Sequence, residues 1–227
     1  MKKRDKVLYA SKRRRSFAEG LNFYKLFWIF LIGSFSGVIV ETLWCLIVQH
    51  KFEIRWGLIY GPFNPVYGFG SVIMTICLNK LKFLRDGWIF LICMFIGAAF
   101  EYLCSLFQEM ALHTISWDYS EMDYNFSGRT SILFAFFWGC LGLVWLKDTY
   151  PRLSRLIERI PSRVGIILTW ILFIYMIINM SLSFLAVWRQ SQRLLGIEAD
   201  SAITMFLDEN YTDDFLKFMY PNMNYVR

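Results

Sequence analysis

Two glutamates lie inside the long apolar stretches that make up most of this chain, and they open matching phrases. Gly37-Val-Ile-Val-Glu41-Thr-Leu-Trp-Cys-Leu46 is echoed by Gly97-Ala-Ala-Phe-Glu101-Tyr-Leu-Cys-Ser-Leu106. Runs of this length leave few folds open. In lipid every backbone N–H and C=O must be paired within the protein, so a spanning chain forms helices or a closed barrel. Apolar runs that approach or exceed roughly 18 residues indicate helices. With 56% hydrophobic residues, a water-soluble core would not keep such runs unbroken. The chain is therefore expected to be all-α, a polytopic integral membrane helix bundle. An ionisable group at bilayer depth faces a partner or a wet cavity. Two of them in matching places predict a duplicated membrane unit with a polar site between its halves.

Five spans are expected, near residues 23–48, 65–78, 87–107, 130–146 and 164–188. The second is short and starts in a Gly/Pro-rich stretch, as a tilted or re-entrant segment would. Of 24 basic residues, nine fall in residues 1–25, three in 79–86 and five in 147–163. Five spans put these three segments on one side. By the excess of Lys and Arg on cytoplasmic loops, that side is the cytoplasm. The expectation is a multi-pass cell-membrane protein with a basic cytoplasmic arm (1–22), a membrane domain (23–188) and an extracytoplasmic amphipathic tail (189–227). The arm abuts an apolar span, so it indicates orientation and anionic lipid and not nucleic acid. The first span is too long, and lacks the small-residue cleavage site, for a signal peptide.

The echo extends beyond the glutamates. Trp56 and Trp117 follow them at similar distances, then Asn64 and Asn125, then Tyr67-Gly68 and Gly128, with His50 and His113 between each Glu and Trp. Each unit reads as helix, polar-aromatic loop, helix, which makes a parallel two-helix repeat with both loops outside and the fifth span apart. The loops are unusual connectors. The first runs Arg55-Trp-Gly-Leu-Ile-Tyr60-Gly-Pro-Phe-Asn64-Pro-Val-Tyr67, with turn-forming Gly and Pro among aromatics. The second holds Trp117-Asp118-Tyr119-Ser120 and Asn125-Phe-Ser-Gly-Arg129. Trp and Tyr at this depth suit an interfacial belt, but Asn64, Asp118, Asn125 and Arg129 beside them suit an outward-facing pocket. The candidate binding residues are thus Glu41, Arg55, Trp56, Tyr60, Asn64, Tyr67, Glu101, Trp117, Asp118, Tyr119, Asn125 and Arg129.

These ordered motifs over roughly residues 25–150 resemble the putative ABC-transporter type IV family, small bacterial membrane proteins often labelled ABC transporter permeases. Asp208-Glu-Asn-Tyr and Tyr220-Pro-Asn-Met in the tail resemble it too. The chain departs from the pattern at Phe63 and Asn64, where cysteine or a smaller polar residue is more usual. The resemblance implies membrane location and a transport-type role.

The residues leave the chemistry of the glutamates open. Two Glu–Arg pairs, with Arg55 and Arg129 reaching the carboxylates, would lock loops onto helices. A cation or proton site, or acid/base catalysis, would use the same groups. No metal or other cofactor is expected: no Cys or His spacing fits a metal, and the five cysteines read as packing residues. Gly33-Ser-Phe-Ser-Gly37 and Gly97-Ala-Ala are small patches that would bring the two Glu helices into contact. Residues 150–161 read as a basic amphipathic cytoplasmic helix, for lipid or for a partner such as an ATPase, since the chain has no phosphate-binding loop of its own. The expected function is a permease-like transport or solute-recognition subunit with its site near the outer leaflet around Glu41 and Glu101. The alternatives are a membrane enzyme acting on a lipid or cell-envelope precursor and a non-catalytic scaffold or regulator. A homo-oligomer is compatible with each.

Overall fold

The computed structural model describes residues 16–81 and 83–226; residues 1–15 of the basic arm, Lys82 and Arg227 lie outside the described residues. Helix α1 (Phe23–Trp44) runs on through a π-helical turn, Cys45–Gln49. Then come α2 (Pro65–Asn79) and α3 (Asp86–Leu112). Helix α4 (Ile132–Val144) continues through a second π turn (Trp145–Thr149) into α5 (Tyr150–Arg159). Helix α6 (Ser162–Leu194) is followed by the short α7 (Ala202–Asn210) and α8 (Asp213–Met219). Two short ladders complete the fold: β1 (Thr114–Ile115) with β4 (Asn224–Tyr225), and β2 (Asn125–Phe126) with β3 (Thr130–Ser131). The protein is an all-α membrane helix bundle. Among the described residues, four helical stretches are long and apolar enough to cross a membrane: Phe23–Val48, Asp86–Leu112, Ile132–Arg159 and Ser162–Leu194. Pro65–Asn79 is shorter.

The repeat is present, but its register differs from the one expected. Close packing lies within each pair, α1 on α2 and α3 on α4. A Cβ on Gly37 would meet the Tyr67 side chain at 2.2 Å, and one on Gly97 would meet Trp138 at 2.2 Å. Phe30 fills the space over Gly68 as Phe90 does over Gly139. Tyr67-Gly68 is thus equivalent to Trp138-Gly139, not to Gly128. The longer second loop, with its hairpin, pushes the spacing apart. The glycine patches consequently seat each Glu helix on its own partner instead of on each other. Lipid offers no hydrophobic drive between helices, so van der Waals contact of this closeness is what holds a pair. An added methyl would force a shift costing about 1–3 kcal/mol.

The first loop does not stay at the end of the helices. The Asn64 N–H donates to the Ser34 carbonyl, part-way along α1, and the Asn64 side chain then caps α2 by accepting from the Val66 N–H. Leu58 is buried with Phe27, Phe30, Leu31 and Met176. The loop is therefore re-entrant, and its backbone needs protein partners. Asn179 of α6 supplies them, accepting from the Tyr60 N–H (3.2 Å) and donating to the Tyr60 carbonyl (2.6 Å). Ser183 accepts from the Ile59 N–H, and the Tyr175 hydroxyl donates to the Tyr60 carbonyl. These polar residues of the last long helix hold the loop.

At the opposite end, Lys25 is almost fully buried and paired with Glu158, and the Ser16 hydroxyl donates to the Glu158 carbonyl. Ile157 packs against Phe17, Ala18 and Ile29. Residues 150–159 are thus not a detached surface helix. They continue α4, because the wider π turn precedes Pro151 and accommodates its missing N–H without a break. The apolar face packs inside the protein, while Arg152, Arg155, Leu156 and Arg159 remain exposed.

Candidate functional site

Each glutamate is met by the aromatic side chain that sits on the glycine one turn before it. Gly37 lets Tyr67 approach, and the Tyr67 hydroxyl donates to Glu41 Oε2 at 2.9 Å. Gly97 lets Trp138 approach, and Trp138 lies beside Glu101. Beyond this shared pattern the two sites differ. Arg55 lies 3.7 Å from Glu41 but only 2.9 Å from Glu53, so one guanidinium serves two carboxylates. Glu101 accepts from the Tyr119 hydroxyl at 3.0 Å and from Thr130 Oγ1 at 2.7 Å. Tyr67 and Tyr119 each lie within electrostatic reach of both carboxylates.

The second loop positions Tyr119. Its N–H donates to the Gly128 carbonyl, and its ring stacks on Phe134 with centroids 4.4 Å apart. Burial, then the Glu101 charge, holds its phenol well above the usual range, so it stays a donor. Gly128 has φ +68, the left-handed region, and a side chain there would also strike Asp118 at 2.6 Å.

The other expected residues shape the loops. Trp117 Nε1 donates to the Arg129 carbonyl. Asp118 accepts from the Ser120 hydroxyl and N–H, which hold its carboxyl below the usual value. Asn125 donates to the Ser120 and Met122 carbonyls and accepts from the Gly128 N–H. Arg129 does not reach Glu101. Its guanidinium pairs with Glu109 at 2.5 Å, donates to Ser105 and covers the Tyr102 ring, while its neighbour Thr130 takes Glu101. Asn64 is a helix cap, Trp56 is half-buried beside Arg55, and the Tyr60 hydroxyl meets that of Tyr211 in the tail at 3.0 Å. Arg55 and Tyr67 meet Glu41, and Tyr119 meets Glu101; the remaining seven bond neither carboxylate. Thr130 and Trp138 adjoin Glu101 although sequence reasoning passed over them. The aromatic-Gly pattern shared by Tyr67-Gly68 and Trp138-Gly139 was the signal for the latter. His50 and His113 end the Glu helices in equivalent left-handed conformations, φ 53 and 52.

A family model described as "Putative ABC-transporter type IV" matches residues 28–184. The chain belongs to that family. No curated protein and no solved structure matches it. The stretch shared with this ABC-transporter-type family takes in both carboxylates, both loops and the Asn179–Ser183 clamp, and it ends before α7, α8 and β4. With its apolar helices, membership makes this a multi-pass, transport-related membrane protein.

Proposed function

We propose that the chain is a permease-type, solute-recognition subunit whose site takes a cationic group at Glu41 and Glu101. The observation that carries this reading is the environment of Glu101. It is 9% exposed, and among the described residues its hydrogen bonds come from the neutral hydroxyls of Tyr119 and Thr130. Among the described residues no Lys or Arg pairs with it. Glu41 has only a share of Arg55. Negative charge in apolar surroundings requires a counter-charge, and a cationic ligand supplies it. Aromatic faces beside the carboxylates suit an organic ammonium group. The test is the melting temperature of the purified protein against panels of cationic, neutral and anionic solutes. A bound cation at 100 times its Kd should stabilise by about 2.7 kcal/mol. Stabilisation by neutral or anionic solutes alone would refute the reading.

The same reading has five crossings, with the N-terminus in the cytoplasm and the site towards the outer leaflet. Supporting it, both special loops and the tail share one end of the bundle, while Lys25, Lys147 and the arginines of α5 share the other. Exposed Arg152, Arg155 and Arg159 then offer a basic surface to anionic lipid or to a cytoplasmic ATPase. In a background without native cysteines, Arg155→Cys should resist an impermeant thiol reagent in intact cells, while Glu121→Cys and Asp214→Cys should react. Reaction at position 155 from outside would reverse the orientation.

A further inference from the structure

The end of the bundle opposite the special loops holds a cavity of its own. Helix α2 ends at Asn79, α3 begins at Asp86, and the π turn Trp145–Thr149 joins α4 to α5. Residues of all these elements line a hollow of about 360 Å³, a size typical of small-ligand pockets. Leu84, Leu146 and Pro151 give it an apolar wall, and Asn79, Asp86 and Lys147 give it polar groups. Both pairs of the repeat contribute, α2 from the first and α3 and the π turn from the second.

The π turn positions Lys147. An extra residue widens the helix there, and such turns recur at functional sites. Trp145 donates its indole N–H to Thr75 of α2 at 2.9 Å, which fixes the turn against the other pair. Lys147 then pairs with Asp86 across the cavity. Their side chains are 52% and 63% exposed, so the pair is weak and free to exchange partners.

The cavity lies where apolar helix gives way to charge. The spanning run of α3 begins at Asp86, and the apolar stretch of α4 ends at Leu146, beside Lys147. Trp88, in the first turn of α3, is 61% exposed, as suits an indole at a membrane–water boundary. Lipid headgroups occupy this level. The charges then select among them. Lys147 and Asn79 can donate to phosphate oxygens, and Asp86 can accept from an ammonium. A simple anion would face Asp86, and a simple cation would face Lys147. A group carrying both charges satisfies both residues, while the apolar wall takes the first carbons of its chains.

We infer that this cavity binds the headgroup of an aminophospholipid, its phosphate on Lys147 and Asn79 and its primary ammonium on Asp86. A lipid seated there touches both pairs of the repeat and holds them together.

Phosphoethanolamine chemistry belongs to a lipid headgroup and to a free phosphate ester, so the test has an arm for each. The full chain is delipidated in detergent and offered equal amounts of phosphatidylethanolamine, phosphatidylcholine and phosphatidylglycerol, and retained lipid is counted by native mass spectrometry. One phosphatidylethanolamine per chain should be kept, at least about tenfold over either competitor, the scale of one charge-assisted hydrogen bond. Lys147→Gln should lower that retention about tenfold. Asp86→Asn should still keep phospholipid but lose the preference for the amine. That preference is a ratio within one protein, so a purely structural latch would not move it. Equal retention of the three lipids, or retention and preference unchanged in the variants, would overturn the assignment. Free phosphoethanolamine displacing the lipid at equal concentration would make this a site for a soluble phosphate ester and sink the lipid.

Discussion

Glu101→Gln should leave a folded protein that melts no lower than the parent and no longer responds to any cationic solute. The fit argues for the first half. Glutamine keeps an acceptor oxygen, and the Tyr119 and Thr130 hydroxyls can rotate to accept from its amide. Removing an uncompensated charge from an apolar site costs nothing in the empty protein, as is common where function demands a poor local fit. The second half follows from linkage: about 2.7 kcal/mol of stabilisation at 100 times Kd should vanish with the charge. Glu41→Gln should lose the same response, with some loss of stability because Arg55 is left with Glu53 alone. The double variant should respond no worse than either single one, since groups in one cluster do not act additively. A clear drop in melting temperature for Glu101→Gln would make that carboxylate a structural acceptor and remove the site.

The second large effect lies in the tail. Asp208→Asn should detach α7 and α8, at a cost of about 3 kcal/mol, the lower end for leaving a buried charge without its partner, since Asp208 itself is partly exposed. Arg189 would lose its charged partner and one of its two bonds there, keeping a neutral amide oxygen, Gln192 and the Ile197 carbonyl for a guanidinium that is nearly fully buried. Limited proteolysis should then cut within residues 195–212 while the long helices stay intact. The pH dependence has a definite sign. Hydrogen bonds from Arg189, then Arg193, lower the Asp208 pKa to about 2. The group is depressed in the folded state, so its contribution is complete above the ordinary value near 3.9 and is lost as pH falls from there through about 2. Unchanged protease resistance in Asp208→Asn, or docking that weakens on raising the pH instead, would contradict this account.

Hydrophobic length and the two embedded carboxylates were enough to read the helices and the pairing of Glu41 with Arg55. Each depends on properties a local sequence carries: apolar runs demand helices, and a buried charge demands a partner. Three features were not legible for a common reason. Arg129 was aligned with Glu101 by analogy with Arg55, yet the hairpin carries it one step further out, to Glu109. Tyr67 was matched to Gly128, although packing on glycine makes Trp138 its counterpart. Nothing in the local sequence of α6 shows that Asn179 and Ser183 clamp a re-entrant backbone.

By itself the sequence determined a helical membrane protein built of two similar pairs with a carboxylate in each. It did so because lipid removes water as a partner for the backbone and punishes charge, constraints that act residue by residue. Only the tertiary structure decided that each glycine patch grips its own pair, that the first loop turns back alongside α1, and that the tail bridges both halves. Those outcomes depend on which distant groups meet. Asn64 with Ser34, Asn222 with Glu53 and Tyr225 with Thr114 are separated by lengths of chain over which no periodicity carries a signal.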